Sequence, residues 1–182
     1  GTLLATAADD KTPRLWNAAT GALVHKLVGH TDAVWDAAFS PDGARLVTIS
    51  NDRTARVWDT ASGAPVAELR GHSRGLSDAA FSPDGRRVVT TAADNTARVW
   101  DAATGQPIAT LEGHTDSPQH AVFSPDGARV LTCARDVTAR VWDAATGKEL
   151  LTLRGHTTGV YRARFSPDGT RIITAGGMAA RV

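Results

Sequence analysis

Four dipeptides constrain what this chain can fold into. Gly29-His30, Gly71-His72, Gly113-His114 and Gly155-His156 each follow the last by 42 residues. Phe-Ser-Pro-Asp-Gly begins at Phe39, Phe81, Phe123 and Phe165 with the same spacing, and tryptophan falls at Trp16, Trp58, Trp100 and Trp142. A period of this length marks a repeat architecture, in which each unit is one small motif that must be buried against its neighbours. The 182 residues hold four periods and fourteen residues more.

Within a unit the pattern is strand-like throughout. Ala33 to Phe39 reads as a strand a, and Ser40-Pro41-Asp42-Gly43 supplies a turn in which proline fixes φ and glycine accepts φ > 0. Strand b, Arg45 to Ser50, is nearly continuous in apolar residues, which implies burial on both faces. A hairpin at Asn51-Asp52-Arg53 leads to strand c, Thr54 to Trp58, and Gly63 turns the chain into strand d, Pro65 to Leu69. Four short strands with no room for a helix predict one antiparallel sheet per unit, stacked on its neighbours. Pro65, Pro107 and Pro118 fall in the two outer strands, where a missing N–H is tolerated, whereas Pro13 stands near the start of a strand c.

Trp58-Asp59, Trp100-Asp101 and Trp142-Asp143 close three of the units, and Trp16-Asn17 departs only at the second residue. Together with the Gly-His pairs and the hairpin aspartates, these residues resemble the WD-repeat β-propellers over the whole chain. The resemblance implies an all-β propeller of four-stranded antiparallel blades. It also implies a mostly non-catalytic protein whose flat faces bind proteins or peptides.

Three units carry His, Thr, Asp and Trp at fixed offsets: His30, Thr48, Asp52 and Trp58; His72, Thr90, Asp94 and Trp100; His114, Thr132, Asp136 and Trp142. A hydroxyl, an imidazole and a carboxylate invite a triad reading, but an enzyme needs one such site, whereas a set present in every unit suits a scaffold bond. The expected role is a buried hydrogen-bond chain in which Asp orients His, His bonds the Thr hydroxyl and the hydroxyl receives the indole N–H; the resemblance implies the same network. Residues one period apart are expected on different blades without converging, so the repeated histidines do not suggest a zinc site. Gly147-Lys148 lacks the spacing of a phosphate-binding loop, and the Pro-Asp-Gly turns lack that of a calcium loop. Cys133 reads as a small buried residue. No catalytic residue, metal site or cofactor is expected.

The columns that vary between copies are the place for recognition. Family resemblance puts the Gly-His loops and the b–c hairpins on one docking face, and there the copies differ. The candidate partner-binding residues are Trp35, Gln119 and Tyr161 in one strand-a column, Asp36, His120 and Arg162 in the next, Asp32 and Asp116 in the preceding loop, and Asn51 and Arg135 before the hairpin Asp. Aromatic and arginine anchors on an exposed rim favour a protein or peptide partner of unknown identity.

The leading expectation is a non-enzymatic interaction scaffold or sensor module, with a small-molecule binder or enzyme using the central channel as one alternative. The other alternative is a structural oligomer closing a ring from two chains. With 20 basic and 19 acidic residues, bulk charge offers no basic arm for nucleic acid. No apolar run is long enough to cross a membrane as a helix. One cysteine permits no intrachain disulfide, and a cytoplasmic, signalling setting is expected. The blades divide as 1–28 (strands b, c and d), 29–70, 71–112 and 113–154 (complete), and 155–182 (strands a, b and the start of c). The two end pieces both contain b and c and cannot merge, so the expectation is an incomplete open arc with exposed end faces. Such an arc would be cut from a longer parent chain bearing further blades and an effector domain. In the last copy the hairpin Asp is missing and the stretch Ala175 to Val182 is one residue short.

Overall fold

The computed structural model describes residues 1–177 and 179–181. Among them every regular element is a β-strand, and the strands form five separate antiparallel sheets. The first sheet has three strands, β1 (Leu3–Thr6), β2 (Arg14–Asn17) and β3 (Leu23–Lys26). The second has four: β4 (Val34–Phe39), β5 (Arg45–Ser50), β6 (Thr54–Asp59) and β7 (Pro65–Arg70). The third repeats it as β8 (Leu76–Phe81), β9 (Arg87–Ala92), β10 (Ala97–Asp101) and β11 (Pro107–Leu111). The fourth does so as β12 (Pro118–Phe123), β13 (Arg129–Ala134), β14 (Ala139–Asp143) and β15 (Glu149–Leu153). The fifth has β16 (Val160–Phe165), β17 (Ile172–Gly176) and β18 (Ala179–Arg181). Strand order follows chain order in every sheet, as short hairpin connections require. Pro13 precedes β2 rather than lying in it, so its missing N–H costs no ladder bond. Met178, in the last copy where the hairpin Asp is missing, and Val182 lie outside the described residues.

The first strands β8, β12 and β16 each pack on the first and second strands of the sheet before them, and β4 packs on β1, so the sheets stack like leaves fanned from their inner edges. Leu46 and Trp58 face back onto Leu15 and Leu27 of the first sheet. Val47, Ile49 and Val57 face forward onto Leu76, Val88 and Trp100 of the third. This two-sided burial explains why the second strands are apolar at nearly every position.

The turn between third and fourth strands also leans on the preceding sheet. A Cβ added at Gly105 would lie 2.6 Å from the Glu68 carbonyl oxygen, and one at Gly147 2.5 Å from that of Thr110, with φ +73° and +75°. Glycine is required there both for φ and for close approach. The arc does not close: the packing runs in chain order, and its two ends expose what the interior buries. Leu4 is 56% exposed although its counterparts Leu46, Val88 and Val130 are fully buried, and Ile173 is 45% exposed although Val47, Val89 and Leu131 are fully buried.

Candidate functional site

Two sets of residues compete for a functional reading: the repeated polar constellation inside the sheets and the variable columns at their inner edge. In the second sheet the Trp58 indole N–H donates to Thr48 Oγ1 at 2.8 Å. Thr48 Oγ1 lies 2.8 Å from His30 Nε2, and His30 Nδ1 lies 2.8 Å from Asp52 Oδ2. The third sheet repeats this through Trp100, Thr90, His72 and Asp94 at 2.8, 2.8 and 3.0 Å. The fourth does so through Trp142, Thr132, His114 and Asp136 at 2.8, 2.7 and 2.8 Å.

Only one proton arrangement satisfies every member. The indole donates to the hydroxyl, the hydroxyl donates to a neutral imidazole at Nε2, and Nδ1–H donates to the carboxylate. Burial drives the His30, His72 and His114 pKa values below 6.5 and outweighs the pull of the paired aspartates, which keeps the rings neutral. Burial pushes the Asp52 carboxyl up, but hydrogen bonds from the Thr54 hydroxyl, the Thr31 N–H and His30 outweigh it and hold the group at about 2. A nucleophilic hydroxyl needs a base with access to substrate. Here Thr48, Thr90 and Thr132 are fully buried, each beneath a tryptophan.

The carboxylate has a further partner absent from the sequence reading. Thr54, Thr96 and Thr138 each donate a hydroxyl to Oδ1 of Asp52, Asp94 and Asp136, at 2.6, 2.7 and 2.7 Å, and their backbone N–H groups bond the same oxygen. The signal was available, because Thr follows each hairpin Asp by two residues in every copy that has one. At the arc's ends the constellation is partial. Trp16 Nε1 donates to an exposed Thr6 at 2.9 Å, and His156 Nε2 lies 2.8 Å from Thr174 Oγ1. Asn17, where the other units have Asp, still accepts the Ala19 and Thr20 N–H groups and caps its turn as Asp59, Asp101 and Asp143 cap theirs.

The variable columns sit on a repeated irregularity. Pairing of each first strand with its neighbour slips by one residue at Trp35, Ser77, Gln119 and Tyr161. Each is the extra residue of a β-bulge, a device that re-aims a side chain out of the ladder. Trp35 is 58% exposed and Tyr161 49%, and Asp32, Asn51, Asp116, Arg135 and Arg162 are also exposed. Gln119 is half-buried, its amide donating to the Ser117 carbonyl and hydroxyl. A Cβ at Gly159 would touch both Arg135 Cα and the Tyr161 ring at 3.3 Å, which places the fourth sheet's hairpin against the fifth sheet's entry loop. Between the third and fourth sheets the same loops enclose an open polar cleft of about 640 Å³, with Arg74, Asp94, Asp116, Gln119 and Arg135 on its walls.

The next column departs from the expectation in two ways. His120, expected on the partner face, is only 8% exposed. Its Nδ1 lies 2.8 Å from Asp78 Oδ2, which also accepts the Ala121 N–H at 2.9 Å, and Arg162 Nη1 approaches the same ring nitrogen at 3.3 Å. Nδ1 carries a proton toward Asp78 or a lone pair toward Arg162, not both, and the shorter, charge-assisted contact is the one to Asp78. Residues one period apart therefore do converge here, because first strands approach one another closely at the inner edge while the rest of each sheet splays away. Asp36 is half-buried at the same level, and burial, with repulsion from Asp78, raises its pKa. Among the described residues no group of three or more His, Cys, Asp or Glu side chains is arranged to hold a metal ion. Cys133, fully buried beneath this column, has its thiol pushed up to about 12 by burial; it is not a nucleophile.

Residues 21–59, 63–101, 105–143 and 147–182 match the family model described as WD domain, G-beta repeat. The chain belongs to the WD-repeat family. Each WD repeat begins ahead of the last strand of one sheet and continues through the first three strands of the next, so every repeat straddles two blades and ties them covalently. Among curated WD-repeat proteins, the mouse F-box-like/WD repeat-containing protein TBL1X is 46% identical over 41 residues. That stretch is 22% of this chain and 8% of that protein. Nuclear distribution protein PAC1 of Coccidioides posadasii is 51% identical over 43 residues, which are 24% of this chain and 9% of that protein. The matched stretches thus span less than a tenth of these relatives. WD repeats generally serve as scaffolds for protein–protein interaction and are typically non-enzymatic. No helix among the described residues is long and apolar enough to cross a membrane.

Proposed function

We propose that this chain is a non-enzymatic docking scaffold that holds a protein or peptide on the face formed by its entry loops and b–c hairpins, with the bulge column as the contact row. The observation that carries this reading is the bulge itself. The backbone irregularity recurs in four sheets while the residue it displays changes from Trp35 to Ser77, Gln119 and Tyr161. A fixed device presenting a different side chain each time suits recognition, with two exposed aromatics as anchors and the cleft beside Arg135 as the polar part. Asp32, Asn51 and Asp116 form its rim. The repeated His–Thr–Trp–Asp sets take the part of internal structural bonds. Within a parent protein the same face would act as a sensor or assembly platform in a cytoplasmic, signalling setting.

The test is site-specific photo-crosslinking from positions 35 and 161, with position 83 on the opposite turns as control. Any partner recovered is then titrated against the Trp35→Ala and Tyr161→Ala variants. The reading expects crosslinks from the first two positions and at least a tenfold loss of affinity in one variant, which about 1.4 kcal/mol would give. Affinity within twofold for both variants removes the site.

A further inference from the structure

Arg14, Arg56, Arg98 and Arg140 stand one period apart, in β2, β6, β10 and β14. Three of them are ion-paired within their own unit: Arg14 with Asp10 at 2.6 Å, Arg56 with Glu68 at 3.0 Å and Arg140 with Glu149 at 2.6 Å. Among the described residues Arg98 pairs with no carboxylate, and its Nε is buried without a hydrogen-bond partner. The sequence explains the gap. Where the second unit has Glu68 the third has Thr110, and where the fourth has Glu149 the third has Pro107. The guanidinium is nonetheless held in the same seat as its counterparts. Its Cζ lies 6.0 Å from the centre of the Trp100 ring, and a Cβ added at Gly71 would come within 3.1 Å of its Nη1, just as one at Gly29 would lie 2.9 Å from Arg56 Nη1. Arg98 faces Thr110 in the register in which Arg56 faces Glu68, so both side chains of each pair share one face of the sheet.

We propose that Thr110 is a phosphorylation site and that Arg98 is the preset receptor for its phosphate. Phosphothreonine places its terminal oxygens as many bonds from Cβ as glutamate does, through Oγ1 and phosphorus in place of Cγ and Cδ. A phosphate on Thr110 therefore reaches Arg98 as the Glu68 carboxylate reaches Arg56, with more charge and a further oxygen for the guanidinium fork. The reaction takes a protein kinase and ATP: the bond from Thr110 Oγ1 to the γ-phosphorus forms as the bond to the leaving ADP oxygen breaks, and the hydroxyl proton passes to the kinase's base. Thr110 is half-buried in β11, the outermost strand of its sheet, so the reaction opens no interface between strands. Glu112, just past the end of β11, is exposed, and water screens its repulsion of the phosphate. Thr152 stands in the same column but is no second site, because its hydroxyl already donates to Glu149, the carboxylate that holds Arg140.

The experiment has two arms. In the first, phosphothreonine is installed at position 110 of the whole chain, with and without Arg98→Gln, and at position 152 as a control, and each form is unfolded in urea. The phosphate at 110 is expected to raise the folding equilibrium constant at least about threefold, within the range of a single well-placed ion pair, and the gain is expected to vanish with Arg98→Gln. At position 152 the phosphate meets Glu149 and is expected to lower the constant. No gain at 110, a gain that survives Arg98→Gln, or an equal gain at 152 overturns the proposal. In the second arm, the chain isolated from the cells that make it is digested and weighed by mass spectrometry before and after phosphatase treatment. The peptide containing Thr110 is expected to carry a phosphate that the phosphatase removes, and its absence overturns the assignment.

Discussion

Replacing Thr90 by valine tests whether the buried chain of hydrogen bonds is a scaffold element. Valine matches threonine in shape, so the substitution removes one hydroxyl and leaves the packing almost unchanged. That hydroxyl serves two partners, accepting from the Trp100 indole at 2.8 Å and lying 2.8 Å from His72 Nε2, in a place with no solvent exposure. Its loss strands a buried donor and a buried acceptor. At about 1–2 kcal/mol for each unsatisfied neutral group, the expected destabilisation is about 2–4 kcal/mol. The molecule contains its own control, because Thr6 makes the equivalent bond to Trp16 at 2.9 Å but is exposed. Water replaces the lost hydroxyl there, and Thr6→Val is expected to cost about 0.5 kcal/mol or less. Urea unfolding followed by far-ultraviolet circular dichroism compares the two, and Trp100→Phe alone and with Thr90→Val completes a double-mutant cycle. In the double variant the valine substitution should cost about 1 kcal/mol less than it does alone, since no indole N–H remains to be stranded. Equal costs for Thr90→Val and Thr6→Val, within about 0.5 kcal/mol, would refute the reasoning.

Acid should destabilise the arc in two steps. The buried histidines have native pKa values below 6.5, so the unfolded chain gains protons first as pH falls, and the stability present above 6.5 declines from there. Asp52, held at about 2 against an ordinary 3.8, adds a second loss as pH falls below 3.8 toward 2. A melting midpoint that rises between pH 7 and 5 would contradict both the tautomer and the sign. In the last complete hairpin, Val137 adopts φ +61°, a region costly for a β-branched residue and occupied by Asn95 in the sheet before it. Val137→Asn is therefore expected to raise stability by about 1 kcal/mol in the same urea titration, and a loss of stability would show that valine makes a compensating contact.

Much of this was legible in the sequence because the repeat is its own alignment. The nearly continuous apolar run of Arg45 to Ser50, the turn at Pro41-Asp42-Gly43 and the fixed offset between Thr48 and Trp58 each recur, and local chemistry alone assigns them to strand, turn and bond. What escaped depends on distance between units, which periodicity does not encode. Along the chain Asp78, His120 and Arg162 are members of one variable column, with nothing to tie one to another. Only the close approach of the inner strands turns them into a contact row. The bulges at Trp35 and Tyr161 were equally hidden, since one unpaired residue in a short strand leaves no compositional mark. The Thr54 hydroxyl was overlooked for a simpler reason: threonine at a strand start is common enough to need no special role, until its 2.6 Å bond to Asp52 is seen.

The central claim is that these WD repeats form an open arc of blades whose interior interfaces hold it together and whose ends do not close on each other. Native-state hydrogen exchange, resolved to the second strand of each sheet, tests it directly. The account predicts the strongest protection in β5, β9 and β13, each covered on both faces, and much faster exchange in β1 and β17, which expose Leu4 and Ile173. Protection of β1 and β17 equal to that of β9, in the monomeric chain alone, would contradict it.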